Sequence, residues 1–300
     1  MDFGRLPNIE EADFIFPNEH QGNINILPGF PSEESAVYSG CPVWAEKGWV
    51  GKVYPKGTKE KDYLKFYGKK FSSVELNATH YSVPDEATVL RWKDAVPEHF
   101  KFCPKIPQTI SHSKDIVKTT ESMLHFISIV KLMGNKLGPC FLQLPPYFKP
   151  DKIKSLIYFL NAIPEDFQLA IEFRHEDWFK DKLKFDKIFN YLEDRRLCAV
   201  ISDVAGRRDV LHQRLSNRTA FIRFAANNLH PTDFTRIQEW TVLLKKWLAE
   251  GLKEVYFFVH TADHSLCPEL VDYFSEKMKI KISTLLPPPG NQFRQGNLFE

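Results

Sequence analysis

Short apolar runs recur along the chain, separated by longer stretches with helical spacing. The runs are VYSGC (37–41), FSSVEL (71–76), KFCPKI (101–106), PCFLQL (139–144), QLAIEF (168–173), CAVISD (198–203), TAFIRF (219–224) and EVYFFVH (254–260). They are rich in β-branched and aromatic residues and lack strict alternation, as expected of parallel strands covered on both faces. Apolar residues at helical spacing fill most of the gaps, for example DEATVLRWKDA (85–95), DKLKFDKIFNYLEDRR (181–196) and DFTRIQEWTVLLKKWLAEG (233–251). Between the sixth and seventh runs, VAGRRDVLHQRLSNR is too short and irregular for a full helix.

Eight strand–helix units predict an α/β protein of TIM type, a (β/α)8 barrel in one domain. The competing architecture, a doubly wound sheet, wants a glycine-rich turn after its first strand, and SGCPVW supplies none. Residues 1–35 show no period and are expected to form an N-terminal extension, laid over the fold or partly disordered. The barrel is then 36–283, and 284–300 form a short C-terminal tail cut off by three prolines and a glycine.

In such a barrel the C-terminal strand ends build the active face. Here they carry Gly40, Cys41 and Trp44, then Glu75 and Asn77 followed by His80 and Tyr81, Lys105, and Gln143. Glu172, Arg174 and His175 follow, then Asp203, Arg223 and His260. Glu172 and Arg174 share a strand face by the period of two, as do Glu75 and Asn77; Phe173 and Leu76 face the helices. Glu172 with Arg174 also fits a structural ion pair at the rim. A lone His80 or His112 fits an ordinary satisfied histidine, and Tyr81, Trp92 and Trp240 read as packing residues. Trp44 and Trp178 fit either stacking walls or core anchors.

Charge narrows the range of partners. Forty Lys plus Arg against 38 Asp plus Glu, net +2, exclude a broad nucleic-acid or membrane electrostatic footprint. Five scattered cysteines form neither a disulfide framework nor a zinc pattern. The N-terminal segment lacks the apolar core of a signal peptide, and no apolar stretch approaches a membrane span, so a soluble, cytoplasmic protein is expected.

Four motifs in order, SGCPVWAEKGWVGKVYP (39–55), the stretch 66–112 around FSSVELNATHY, LGPCFLQLPPYF (137–148) and LAIEFRHEDWF (169–179), resemble the YecE-like family, domain of unknown function 72. The resemblance spans about 37–280 and implies a TIM-type fold with no established activity. It assigns the family's polar positions to Trp44, Glu75, Asn77, Lys105, Gln143, Glu172, Arg174, His175 and Trp178, and an arginine after the seventh strand to Arg223. Where many members carry Asn-Asn after the eighth strand, this chain has FFVHTADH, with His260, Asp263 and His264.

The leading expectation is a hydrolase-like or lyase-like enzyme for an anionic or phosphorylated substrate, nucleic-acid-related substrates included. Glu75, Lys105, Glu172, His175 and Asp203 are its candidate catalytic residues; Trp44, Asn77, Gln143, Arg174, Trp178, Arg223 and His260 would bind substrate. Glu172 and Glu75 would serve as general base and acid, while Arg174, Arg223 and Lys105 hold anionic oxygens. A metal-dependent variant would draw its ligands from Glu75, Glu172, His175, Asp203, His260 and His264, as in barrel phosphoesterases, but no tight metal-ligand spacing exists and no metal or other cofactor is assigned. A non-catalytic binding module is the alternative; its sign would be a strand-end cluster consumed by internal ion pairs. Finally, Gln295, Leu298 and Phe299 in the tail resemble the peptides that dock bacterial proteins on the DNA sliding clamp, with apolar anchors and a polar rim.

Overall fold

The structure, a computed structural model, describes Leu6 and residues 8–279. The proposed clamp-docking residues Gln295, Leu298 and Phe299 lie outside the described residues. Among those described, eight parallel strands form: β1 (Ala36–Gly40), β2 (Ser73–Leu76), β3 (Lys101–Pro104), β4 (Cys140–Gln143), β5 (Leu169–Glu172), β6 (Cys198–Asp203), β7 (Thr219–Ala225) and β8 (Glu254–His260). Each falls on one of the apolar runs.

Six strands pair in the order β1-β8-β7-β6-β5-β4, and β2 pairs with β3. The ladder thins at two seams. β3 meets β4 through single bridges such as Lys105 to Phe141. β2 reaches the chain after β1 through the Glu75 amide, which donates to the Cys41 carbonyl at 3.2 Å. Tyr67 braces that seam by accepting from the Cys41 amide (2.8 Å) and donating to the Ser73 carbonyl (3.0 Å). Gly40 is required there, because a β-carbon would meet the Ser73 carbonyl oxygen at 1.8 Å. Strand order and helical crossovers are those of an α/β fold of TIM type.

The helices form where the sequence offers both an apolar stripe and a start signal. Asp85 caps Glu86–Ala95 by accepting from the Thr88 amide, and Asp181 caps Lys182–Asp194. Pro231 occupies the first turn of the longest helix, Pro231–Ala249. The sixth crossover contains only the short 3-10 turn Arg208–Val210. Burial separates two layers. Side chains such as Leu142, Ile171 and Phe173 pack against the helices, whereas Cys103, Phe141, Ala170, Val200, Phe221, Tyr256 and Phe258 form a distinct cluster on the opposite strand faces. Above that second cluster, toward the strand C-termini, the same faces turn polar.

The chain before β1 lies against the fold rather than away from it. Glu19 accepts from the Trp247 indole (2.7 Å) and pairs with Lys246. Asn23 exchanges hydrogen bonds with the 213–215 backbone, at 2.8 Å each. Phe16 sits edge-on to Trp240. Among the described residues no helix is long and apolar enough to cross a membrane.

Candidate active site

A cavity of about 1010 Å3 opens at the strand C-terminal end. Its lining takes in Trp44, Asn77, Lys105, Gln143, Glu172, Arg223 and His260, seven of the residues singled out in the sequence. The period of two turns Gln143, Glu172, Arg223 and His260 inward from their strands, and Trp44, Asn77 and Lys105 join them from the segments that follow β1, β2 and β3.

Arg223 is the centre of the floor. Its guanidinium donates to both oxygens of Glu75, at 2.9 and 3.0 Å, and to Glu172 at 2.7 Å. Asn77 (3.0 Å) and the His260 ring (2.9 Å) complete the shell of Glu75. Gln143 donates to Glu172 at 2.8 Å, and the Ser202 hydroxyl donates to its other oxygen at 2.9 Å. Burial alone would raise both carboxyl groups. The arginine outweighs it, aided by His260 at Glu75 and by Arg174 at Glu172, and holds both below the usual carboxylate range. Arg223 is held more firmly protonated, since the two carboxylates outweigh its own desolvation.

Lys105 has a different environment. It is 5% exposed and lines the cavity, with its ammonium over the Phe141 ring at 6.0 Å. Among the described residues Nζ makes no hydrogen bond or ion pair, because Arg223 already engages both glutamates. Burial, then the positive charge of Arg223, lowers its pKa to about 8 against the opposing pull of Glu75 and Glu172. His80, also on the wall, sets Nδ1 at 2.9 Å from the Ile106 carbonyl. Burial lowers its pKa to about 4, so it is neutral near pH 7.

Five sequence assignments are corrected. Glu75 is fully buried beneath the cavity with both oxygens occupied, which removes it as an acid or base that meets substrate. Asp203 points the other way. Ser202 is the residue in register with Arg223, so alternation turns Asp203 toward the helices. There it accepts from Arg236 (2.7 Å) and the Trp240 indole (2.7 Å) and pairs with Arg208. Trp178 is a core anchor, 1% exposed, its indole donating to the Phe148 carbonyl. His175 accepts from the Asp177 amide and does not line the cavity. Arg174 is not on the lining either. It is buried within electrostatic reach of Glu172 and Arg223, with its pKa lowered to about 10 by desolvation.

Tyr81, expected to pack, is 75% exposed at the cavity wall. Ser202, Asn227 and Asn228 are among the polar lining residues that escape the strand-end reading. The asparagines begin two residues after β7, and the left-handed backbone of Asn228 (φ 54°) suits asparagine. Among the described residues no group of three or more His, Cys, Asp or Glu side chains is arranged to hold a metal.

A family model described as "Protein of unknown function DUF72" matches residues 38–293. The chain is 28% identical over 261 residues to UPF0759 protein YecE of Escherichia coli K12, covering 81% of this chain and 93% of that one. It is 27% identical over 151 residues to UPF0759 protein YunF of Bacillus subtilis, across 48% and 52% of the two. Among solved structures, a DUF72 protein from Enterococcus faecalis superposes with TM-score 0.66 at 15% identity, over 83% of this chain and all of that one. A second, from Thermotoga maritima, gives 0.64 at 22% identity over 81% and 99%. These structures share the fold. The chain belongs to the DUF72 family of proteins of unknown function.

Proposed function

We propose that the cavity is the active site of an enzyme for a small anionic substrate, carboxylated or phosphorylated, a nucleic-acid end included. The reading rests on Lys105, whose ammonium faces the cavity with no hydrogen bond or ion pair among the described residues. Arg223 already engages both Glu75 and Glu172, so an anionic group entering the cavity would give the buried ammonium the counter-charge it lacks among the described residues. Gln143, Ser202 and Asn227 add polar groups on the same wall.

Lyase-like chemistry suits this arrangement better than hydrolysis. Of the two carboxylates expected to activate water, Glu75 is sealed and Glu172 is engaged by three donors, so neither is poised to take a proton. The saturation of that network is the observation on the side of a non-catalytic binding module, which would bind the same anions without turnover.

Calorimetric titration with inorganic phosphate tests the reading. Wild-type protein should bind it, and Lys105→Met should weaken binding at least about tenfold, the equivalent of ~1.4 kcal/mol. Equal binding by the two proteins, or none by the wild type, would overturn it.

A further inference from the structure

We infer that Lys105 is an imine-forming lysine and that the substrate carries an aldehyde or ketone beside its anionic group. The inference deepens the reading of the cavity as a substrate site and rests on it.

Geometry comes first. An amine that attacks a carbonyl must be reachable and must not be locked to a carboxylate. Lys105 meets both conditions, since it lines the cavity while Arg223 occupies the two nearby glutamates. Phe141 lies against the ammonium and excludes water on that side. A pKa lowered to about 8 leaves a usable share of free amine near neutrality. Desolvation and a neighbouring cation are the two ways by which lysine nucleophiles are activated, and both act here.

A proton acceptor is at hand. The Ile106 carbonyl can only accept, so His80 Nδ1 carries its hydrogen and Nε2 keeps a lone pair. The step balances without any redox partner. The neutral amine adds its lone pair to the carbonyl carbon, and the C=O π pair moves to oxygen. A proton passes from nitrogen to that oxygen, with His80 as a relay, to give the carbinolamine. The hydroxyl then takes up a proton from solvent, the one the lysine released in becoming a neutral amine, and leaves as water while the nitrogen lone pair forms the C=N bond of a protonated imine. The cation then sits within electrostatic reach of Glu75 and Glu172, where the ammonium was. It is an electron sink for breaking a C–C or C–H bond next to the former carbonyl, a lyase or isomerase chemistry.

The probe is glyoxylate, a small anionic aldehyde, with sodium cyanoborohydride to reduce any imine to a stable carboxymethyl-lysine. Peptide mapping by mass spectrometry reads which lysines are modified, and how fast. At neutral pH the adduct should form on Lys105 at least about tenfold faster than on other lysines, whose ordinary pKa is about 10.4. Lys105→Arg, checked for unchanged circular dichroism, should lose only that fast adduct. Even labelling across the chain, or an unlabelled Lys105, overturns the imine. The mapping is done on the wild type, so its outcome does not depend on how the variant folds. Phosphate binding in the same preparation separates the two ideas: retained binding means that only the imine has failed, and lost binding means that the site reading has failed with it.

Discussion

Replacing Lys105 by methionine should stabilise the protein. The ammonium lies among buried side chains without an ion pair among the described residues, and its pKa falls from 10.5 to about 8. At 1.36 kcal/mol per unit, that difference corresponds to ~3 kcal/mol of folding free energy lost in keeping the charged form. The sign follows from proton counts. Between pH 8 and about 10.4 the unfolded chain holds the lysine proton and the folded chain has released it, so stability rises with pH. Below about pH 8 both states are protonated and the full cost is present. Methionine keeps the apolar stem, fits a similar volume and carries no charge. Urea unfolding followed by tryptophan fluorescence at pH 7 and at pH 10 measures the effect. Lys105→Met should exceed wild type by up to ~3 kcal/mol at pH 7, and the gap should close toward pH 10. A variant less stable than wild type at pH 7, or a gap indifferent to pH, would refute the reasoning. Gain of stability on removing a group is the mark of a residue retained for function rather than for folding.

Arg223→Met should act in the opposite direction, costing ~3–5 kcal/mol or preventing folding, because two buried carboxylates lose their shared partner. Its pH response should also invert. In the wild type the lowered glutamate pKa values give stability that is present above about pH 4.3 and lost on acidification through the folded values. In the variant desolvation prevails and raises them, so melting temperature should climb as pH falls from 7 toward 5. Asp203→Ala should cost a similar ~3–5 kcal/mol by urea unfolding, since it strands Arg236 and the Trp240 indole, yet leave phosphate affinity within about twofold; a tenfold loss of affinity would return Asp203 to the site.

The strand ends were legible because the inward phase can be counted wherever a polar residue interrupts an apolar run, as Glu75, Gln143, Glu172 and Arg223 do. β6 defeats that count. In CAVISD both faces are apolar until the last two residues, so nothing in the pattern shows whether Ser202 or Asp203 turns inward. The deciding partner of Asp203, Arg236, lies 33 residues onward in a helix where it reads as an ordinary exposed charge. Arg174 and His175 extend past the last residue of β5, where the alternation that placed Glu172 no longer operates. Lys105 and Arg223 read alike in the sequence, as cations at the strand ends beside two glutamates. Which of two cations takes the carboxylates is decided by reach across the interior, and the planar fork of Arg223 can hold both at once.

The floor of the cavity also constrains how the chain can be divided. Glu75 belongs to the first half of the strand order, Glu172 and Arg223 to the second, and the fork joins them over 148 and 51 residues of sequence. During synthesis β2 and β5 emerge well before β7, so two carboxylates destined for the interior wait in water for their counter-ion. A fragment ending before β7 would have to protonate or expose them. The four-strand halves are therefore not independent folding modules. A version of this protein split before β7 should regain structure only when the piece carrying Arg223 is supplied.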